Sequence, residues 1–271
     1  MLIYGKEIRD KIKERVRQAV LRKPMKMAIV QVGEDPSSLA YVRGICRFAG
    51  DTGVEVEIVN LPEDIEENEL VKEIDVLNHV PTITGIMLQT PLPAHLDANK
   101  MINCISYGKD VEGLHNYNLG KLLSRQEGVR PATPKAVITM LKAYGIPIEG
   151  EKVTIVGRST TVGGPLSVMM TAENGTVTLC HSRTRDLKRE TLDADILVAA
   201  IGKKNFITPD MVREDVVIID VGTNFDEAGR MFGDVHEETK AKARIASAVP
   251  GGVGVITVAE LFDNLRILGE Q

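Results

Sequence analysis

From Val153 to Thr184 the chain reads as an apolar run, a glycine-bearing turn, an amphipathic stretch and a second apolar run. The residues are Val153-Thr-Ile-Val-Gly-Arg-Ser-Thr-Thr-Val-Gly-Gly-Pro165, then Thr176-Val-Thr-Leu-Cys-His-Ser-Arg-Thr184. Parallel strands cannot be joined by a tight turn, so two short apolar runs spaced by a helix-length segment imply a βαβ unit. A turn glycine at the first strand's end, with a helix N-terminus behind it, is the layout of a dinucleotide site. There backbone amides can approach a pyrophosphate and the helix dipole favours its charge. Taken alone, the glycine spacing fits an ordinary strand–loop–helix turn equally well. Gly157 is followed only by Gly163 and Gly164, so the G-x-G-x-x-G pattern is broken.

The end of the second strand adds a discriminating clue. A site for NAD places Asp or Glu about 20 residues after the glycine turn, to hold the ribose 2′-hydroxyl. Here that region offers Ser182, Arg183 and Arg185, with no acid before Asp186. Hydroxyl and guanidinium groups suit a 2′-phosphate, which favours NADP.

The rest of the chain repeats the alternation. Ile8, Ile12, Val16 and Val20 recur at a helical step; Met27–Val32 is a buried strand ending in Gly33-Glu-Asp-Pro36. Ser37 is placed to cap a helix that carries Tyr41 and ends near Gly50 or Gly53. Val54–Val59 alternates apolar and acidic residues as a half-exposed strand, Glu66–Asn78 is a helix, and Ile83–Leu88 is a strand stopped by Gln89-Thr-Pro-Leu-Pro93. After Pro131-Ala-Thr-Pro134 the strands are Val153–Val156, Thr176–Cys180, Ile196–Ala200 and Val216–Val221. Such alternation predicts an α/β fold of two domains built on parallel sheets, joined near residues 115–130, with a ligand cleft at the strands' carboxyl ends.

Composition excludes several classes. With 271 residues the chain has room for two domains. A net charge of −5, a pI near 5.7 and no Trp argue against a nucleic-acid binder. The start reaches charge at Lys6, unlike a signal peptide, and no apolar run is long enough to span a membrane. Three widely spaced cysteines outside any CxxC read as reduced thiols of a cytoplasmic protein. The five histidines form no HxxxH or HExxH pair, so no metal site is expected.

Several strand-end loops, taken in order, carry more than spacing does. They are Val32-Gly33 with Ser37-Ser38 and Tyr41-Val42; Gln89-Thr-Pro-Leu-Pro93; Lys109-Asp-Val-Glu-Gly113 with Asn118 and Gly120; and Thr133-Pro134. Then come Gly157-Arg-Ser159 with Val162-Gly163 and Pro165, His181-Ser182 with Thr184, Asp220-Val-Gly222 with Asn224, Gly233-Asp-Val235, and Pro250-Gly-Gly-Val-Gly254. Over nearly its whole length the chain resembles the bifunctional methylenetetrahydrofolate dehydrogenase/methenyltetrahydrofolate cyclohydrolase (FolD) family.

The resemblance implies a homodimeric cytoplasmic enzyme of one-carbon metabolism acting on tetrahydrofolate derivatives. It implies a folate-binding catalytic domain (residues 1–118 plus 256–271) and a Rossmann-like NADP-binding domain (residues 119–255). Tyr41 and Gln89 fall at catalytic positions. Tyr41, Gln89, Glu112, Pro250 and Gly251 fall at substrate contacts, and Gly157, Arg158, Ser159, Ser182 and Thr223 at cofactor contacts. Tyr41 stands where the family stacks a tyrosine on the substrate's ring, and Thr223 where it more often has Ile.

Two departures bear on activity. The family places a catalytic lysine one helical turn after the tyrosine, where this chain has Ile45. Arg43 and Arg47, two residues to either side and about 200° around the helix, are expected to point away. Glu112 stands where the family usually has Asp, which lengthens the group by one methylene. Methylene oxidation is a hydride transfer that needs alignment, whereas methenyl hydrolysis needs a proton moved. The sequence therefore predicts an NADP-dependent dehydrogenase with weak or absent cyclohydrolase activity.

Overall fold

Fully buried apolar runs become interior strands of parallel sheets, and half-buried alternating ones become their edges. That rule accounts for most strands of the chain's two parallel sheets, which a short antiparallel pair accompanies. The computed structural model describes the backbone of all 271 residues; the side chains of Pro36, Ser37 and Ala40 lie outside the described residues. In chain order the elements are β1 (Leu2–Ile3), α1 (Lys6–Arg22), β2 (Lys26–Val32), α2 (Pro36–Thr52), β3 (Glu55–Leu61), α3 (Glu67–His79), β4 (Gly85–Leu88), α4 (Ala98–Ile102) and α5 (Asn116–Leu123). They continue as α6 (Ala132–Ala143), β5 (Lys152–Val156), α7 (Gly163–Ala172), β6 (Thr176–Cys180), α8 (Leu187–Leu192), β7 (Ile196–Ala199), β8 (Val217–Asp220), β9 (Asn224–Phe225), β10 (Met231–Phe232), α9 (Glu237–Lys242), β11 (Ile245–Ser247) and α10 (Val253–Gly269).

The chain forms two compact α/β units, as the alternation predicts. One comprises residues 11–132 and 258–271, the other residues 1–10 and 133–257. The sequence expectation had divided them at 118/119 and 255/256, with the N-terminus wholly in the first domain. Two physical details separate the two divisions. β1 has only two residues, yet Leu2 and Ile3 pair in parallel with Ala246 and Ser247, so the N-terminus completes the second unit's sheet. The expected linker region also contains α5, capped by the His115 ring nitrogen, which accepts from Tyr117 N at 3.0 Å.

In the first unit β2 is central, paired in parallel with β3 and β4. From Met27 to Val32 every β2 residue is buried, while β3 leaves both glutamates exposed as an edge strand. On α1, Ile8, Ile12, Val16 and Ala19 are buried and Val20 is half-buried. A strict four-residue step drifts about 40° per repeat, which rolls Val20 aside and brings Ala19 inward. Helix α2 is capped by Asp35, whose carboxylate accepts from Ser38 N at 2.8 Å; Ser37, to which the sequence assigned the cap, has its side chain outside the described residues. The helix ends at Gly53, whose φ of +82° is the left-handed conformation glycine adopts without strain.

The second unit is a six-stranded, all-parallel sheet in the order β1-β11-β8-β7-β5-β6. The chain leaves β5 for β6 on one side and returns to β7 on the other. The carboxyl end of β5 is therefore the topological switch point, where open α/β sheets bind ligands. Among the described residues no helix is long and apolar enough to cross a membrane.

Candidate active site

Three of the expected substrate residues belong to the first unit and are set there by the sheet. Gln89 continues β4: its amide donates to Val30 O at 2.8 Å, and its side chain is buried. Its Nε2 donates to Thr90 O at 2.6 Å and to Ser38 Oγ on α2 at 3.3 Å. A carbonyl can only accept, so the contact to Thr90 fixes the amide's orientation. The Oε1 is then the buried atom left over, and it has no hydrogen-bond partner among the described residues.

The Lys109–Gly113 loop runs beside the same strand. Ile86 N donates to Lys109 O at 2.7 Å, and Ile86 pairs with Asp110 as a parallel bridge. Gly85 makes this approach possible, because a Cβ there would overlap Val111 Cγ1. Asp110 is the loop's organiser, a part the sequence did not assign it. Its buried carboxylate accepts from Gly113 N (3.0 Å), Glu112 N (3.2 Å), His115 N (2.8 Å) and Asn118 Nδ2 (2.9 Å).

That loop presents Glu112, whose carboxyl is pushed up to about 8 by burial and then by the Asp110 charge. Tyr41, half-buried on α2, has its phenol pushed well above its ordinary value by burial and then by Glu112. The Glu112 charge acts on the Tyr41 phenol, which puts the two groups in one site, and each holds its proton at neutral pH. Ile45, one turn on from Tyr41, is fully buried, whereas Arg43 and Arg47 are exposed. Lys109 is committed elsewhere: its ammonium donates to Val80 O (2.7 Å) and Leu77 O (3.2 Å), capping the end of α3. Pro250 and Gly251 belong to the second unit, on the loop before α10, where Gly251 O accepts from Gly5 N at 2.8 Å.

In the second unit a cavity of about 390 Å³ opens at the switch point. Gly157, Arg158, Ser159, His181, Ser182 and Thr184 line it, and so do Ile201, Lys203 and Phe206. Gly157 has φ +123°, and a Cβ on it would overlap the Ala200 carbonyl oxygen; one on Gly163 would overlap the Gly157 carbonyl oxygen. Both glycines bring the turn, the neighbouring strand and the first turn of α7 into contact. Ser159 Oγ accepts from Val162 N at 3.1 Å, closing the turn into that helix. Thr184 closes the other turn, with His181 N donating to its Oγ1 at 2.9 Å, and this leaves Ser182 exposed at the apex. An open cradle of backbone amides, two hydroxyls and the exposed Arg158 is a donor-rich surface matched to a dinucleotide phosphate.

Thr223 is exposed just before β9 and is not among the residues lining the cavity. Lys203 and Phe206 were missed from the sequence, since nothing in Ile201-Gly-Lys-Lys-Asn-Phe206 marks that loop as cavity wall. It is placed by long-range bonds to Asp234 that spacing does not reveal.

Two family models cover most of the chain: the tetrahydrofolate dehydrogenase/cyclohydrolase catalytic domain over residues 3–112 and the NAD(P)-binding domain of the same family over residues 131–270. Bifunctional protein FolD 2 of Syntrophomonas wolfei is 68% identical over 271 residues, covering 100% of both chains. The solved FolD of Campylobacter jejuni, a bifunctional methylenetetrahydrofolate dehydrogenase/cyclohydrolase, is 37% identical with a TM-score of 0.96, covering 100% of this chain and 98% of its own. The Trypanosoma brucei methylenetetrahydrofolate dehydrogenase-cyclohydrolase, solved with NADP and an inhibitor, is 28% identical with a TM-score of 0.93, covering 100% and 97%.

Proposed function

The chain belongs to the tetrahydrofolate dehydrogenase/cyclohydrolase family, and from that premise we propose that it is an NADP-dependent 5,10-methylenetetrahydrofolate dehydrogenase whose cyclohydrolase activity is weak or absent. One observation carries the second half. Where the resemblance implies the catalytic lysine, a branched alkyl chain is fully buried, and Gln89, bonded to Ser38 of the same helix, keeps a buried Oε1 without a donor among the described residues.

The two half-reactions ask different things of these residues. Oxidation passes a hydride from the methylene carbon to the nicotinamide that NADP supplies, and leaves a methenyl cation shared by two folate nitrogens. Alignment of the two carbons is what the protein contributes there. Tyr41 offers a ring face for the flat pterin or its benzoyl ring, and Glu112 offers acceptors for the pterin's donor edge. Pro250 and Gly251 complete the substrate contacts in this reading. Gly157, Arg158, Ser159 and Ser182 would hold the cofactor's phosphates, and Thr223, outside the cavity lining, would supply a further cofactor contact.

Hydrolysis needs a water to lose a proton as it attacks the methenyl carbon. Such general acid–base help contributes about 10²–10⁴-fold. Tyr41 and Glu112 hold their own protons at neutral pH, and Lys109 is bound to the end of α3, so none of the three is a ready base. The resemblance also supports a homodimer in the cytoplasm, which sedimentation of the pure protein would check for the first part.

Two assays test the proposal. Methylenetetrahydrofolate with NADP is expected to give NADPH rapidly, and methenyltetrahydrofolate without cofactor is expected to lose its absorbance little faster than in buffer. Rapid cofactor-independent hydrolysis overturns the second half; ligand binding without NADPH formation overturns the first. A second reading, the full bifunctional enzyme, is supported by the name of the 68% identical relative. In that case the water is activated by Glu112 after it ionises, and hydrolysis climbs as pH rises through about 8.

A further inference from the structure

Beneath the cofactor cavity lie two buried aspartates whose arrangement exceeds what a sheet edge requires. Asp220, at the end of β8, accepts from Gly222 N (3.0 Å), Asp234 N (2.9 Å) and Val235 N (3.2 Å), and pairs with the buried ammonium of Lys240 at 3.1 Å. Asp234 is fully buried, and its carboxylate is held by neutral donors. Its Oδ2 accepts from Ile201 N (2.6 Å) and Gly202 N (3.0 Å), and its Oδ1 from Lys203 N (2.8 Å) and Asn224 Nδ2 (2.9 Å). Gly222 and Gly233 make room for the pair: a Cβ on Gly222 would overlap Asp234 Oδ1, and one on Gly233 would overlap Asp220 Oδ2.

Three successive backbone amides closing on one carboxylate form an anion nest filled from within. The nest's own residues are the cavity wall. Ile201 and Lys203 line the cavity, Gly202 between them has φ +70°, and the Lys203 ammonium lies 5.7 Å from the Phe206 ring centroid, also in the wall. Gly202 and Lys203 are exposed, while Ile201 packs partly against the second unit's core and Asn205 N donates to Gly233 O at 3.2 Å, so the carboxylate beneath is what gathers the three amides at the loop's start. The wall's shape is thus set by one buried charge about 30 residues away in sequence.

We propose that Asp234 is a positioning residue for cofactor binding: by gathering the amides of Ile201, Gly202 and Lys203 it fixes the cavity wall and aims the Lys203 side chain at the cofactor. The inference rests on the reading of this cavity as the NADP site. Replacing one carboxylate oxygen by an NH2 group leaves too few acceptors. Whichever way the introduced amide faces, its NH2 meets either the Ile201 and Gly202 amides or the Lys203 amide.

The test measures NADPH binding by fluorescence, together with KM for methylenetetrahydrofolate and Tm, in the wild type and in Asp234→Asn. The expected result is an NADPH Kd raised about tenfold or more, as for loss of a charge-assisted contact, with the folate KM changed less than about twofold. Gly202→Ala keeps the carboxylate and strains the same loop, in open space, through its positive φ. It is expected to weaken NADPH in the same direction and, should Asp234→Asn fail to fold, it carries the test alone. A lowered Tm with unchanged NADPH affinity in the variant measured overturns the positioning role and leaves Asp234 as a structural anchor. A wild type that binds no NADPH overturns the cofactor reading itself, and the inference with it.

Discussion

Replacing Ile45 by lysine should create the activity that the native chain is proposed to lack. Side chains on a helix lean toward its N-terminus, so a lysine at 45 carries its ammonium back over the turn that holds Tyr41. Ser38 lies two turns up, about 10.5 Å along the axis, and a four-carbon stem leaning that way covers roughly half the distance. Gln89 already touches Ser38 Oγ, and its Oε1 is a buried acceptor without a donor among the described residues. The new ammonium enters a site where the native residue is fully buried. An unpaired buried cation costs several kcal/mol, of which a hydrogen bond to Oε1 returns about 1.5–3 kcal/mol. We expect Ile45→Lys to fold with about 1–3 kcal/mol less stability, within the ordinary range for one substitution. Methenyl hydrolysis, followed by loss of methenyl absorbance without cofactor, should accelerate about 10²-fold or more. NADPH formation should change by only a few-fold, and unchanged NADPH binding would show that the variant is folded. A folded Ile45→Lys that hydrolyses methenyltetrahydrofolate no faster than the wild type would refute the reasoning.

Three further outcomes follow from the geometry. Gly157→Ala should abolish NADPH binding and destabilise the second unit by about 3 kcal/mol or more, read by fluorescence and urea unfolding, because its Cβ overlaps the Ala200 carbonyl and φ is +123°. Burial raises the Glu112 carboxyl from its ordinary value near 4.5 to about 8, so the folded state binds that proton more tightly than the unfolded chain does. Its contribution to stability is full at low pH and declines between about 4.5 and 8; Glu112→Gln should flatten that slope in urea unfolding. If its ionised form grips the pterin, the wild-type folate KM should also fall as pH rises through about 8, and the variant's should not. Lys240→Met should cost about 3–5 kcal/mol, because it leaves the Asp220 carboxylate buried without its cation.

The strand–helix alternation was legible because strands buried on both faces must be nearly all apolar, as β2, β7 and β8 are. Register and switch point followed once the second sheet proved wholly parallel. β1 was not legible: two apolar residues beside Tyr4 and Gly5 give no periodicity, and only pairing with β11, more than 240 residues on, makes them a strand. The cap of α2 is Asp35, two residues before the expected Ser37; both residue types cap helices, so sequence alone does not choose between them. The site residues came from ordered loop motifs rather than from spacing. What those motifs concealed is their division of labour: Asp110 shapes the loop that Glu112 uses, Lys109 caps a helix, and Asp234 holds a cavity wall. Each depends on contacts between segments distant in sequence, where a polar residue's partners decide its part.

The central claim, that oxidation survives while hydrolysis does not, can be read in a single progress curve. The pure protein is given methylenetetrahydrofolate and NADP in a buffer where methenyltetrahydrofolate is long-lived, and NADPH, methenyl and formyl products are counted together. The account predicts one methenyl accumulated for each NADPH formed. NADPH accompanied instead by 10-formyltetrahydrofolate, with no methenyl accumulating, would contradict it.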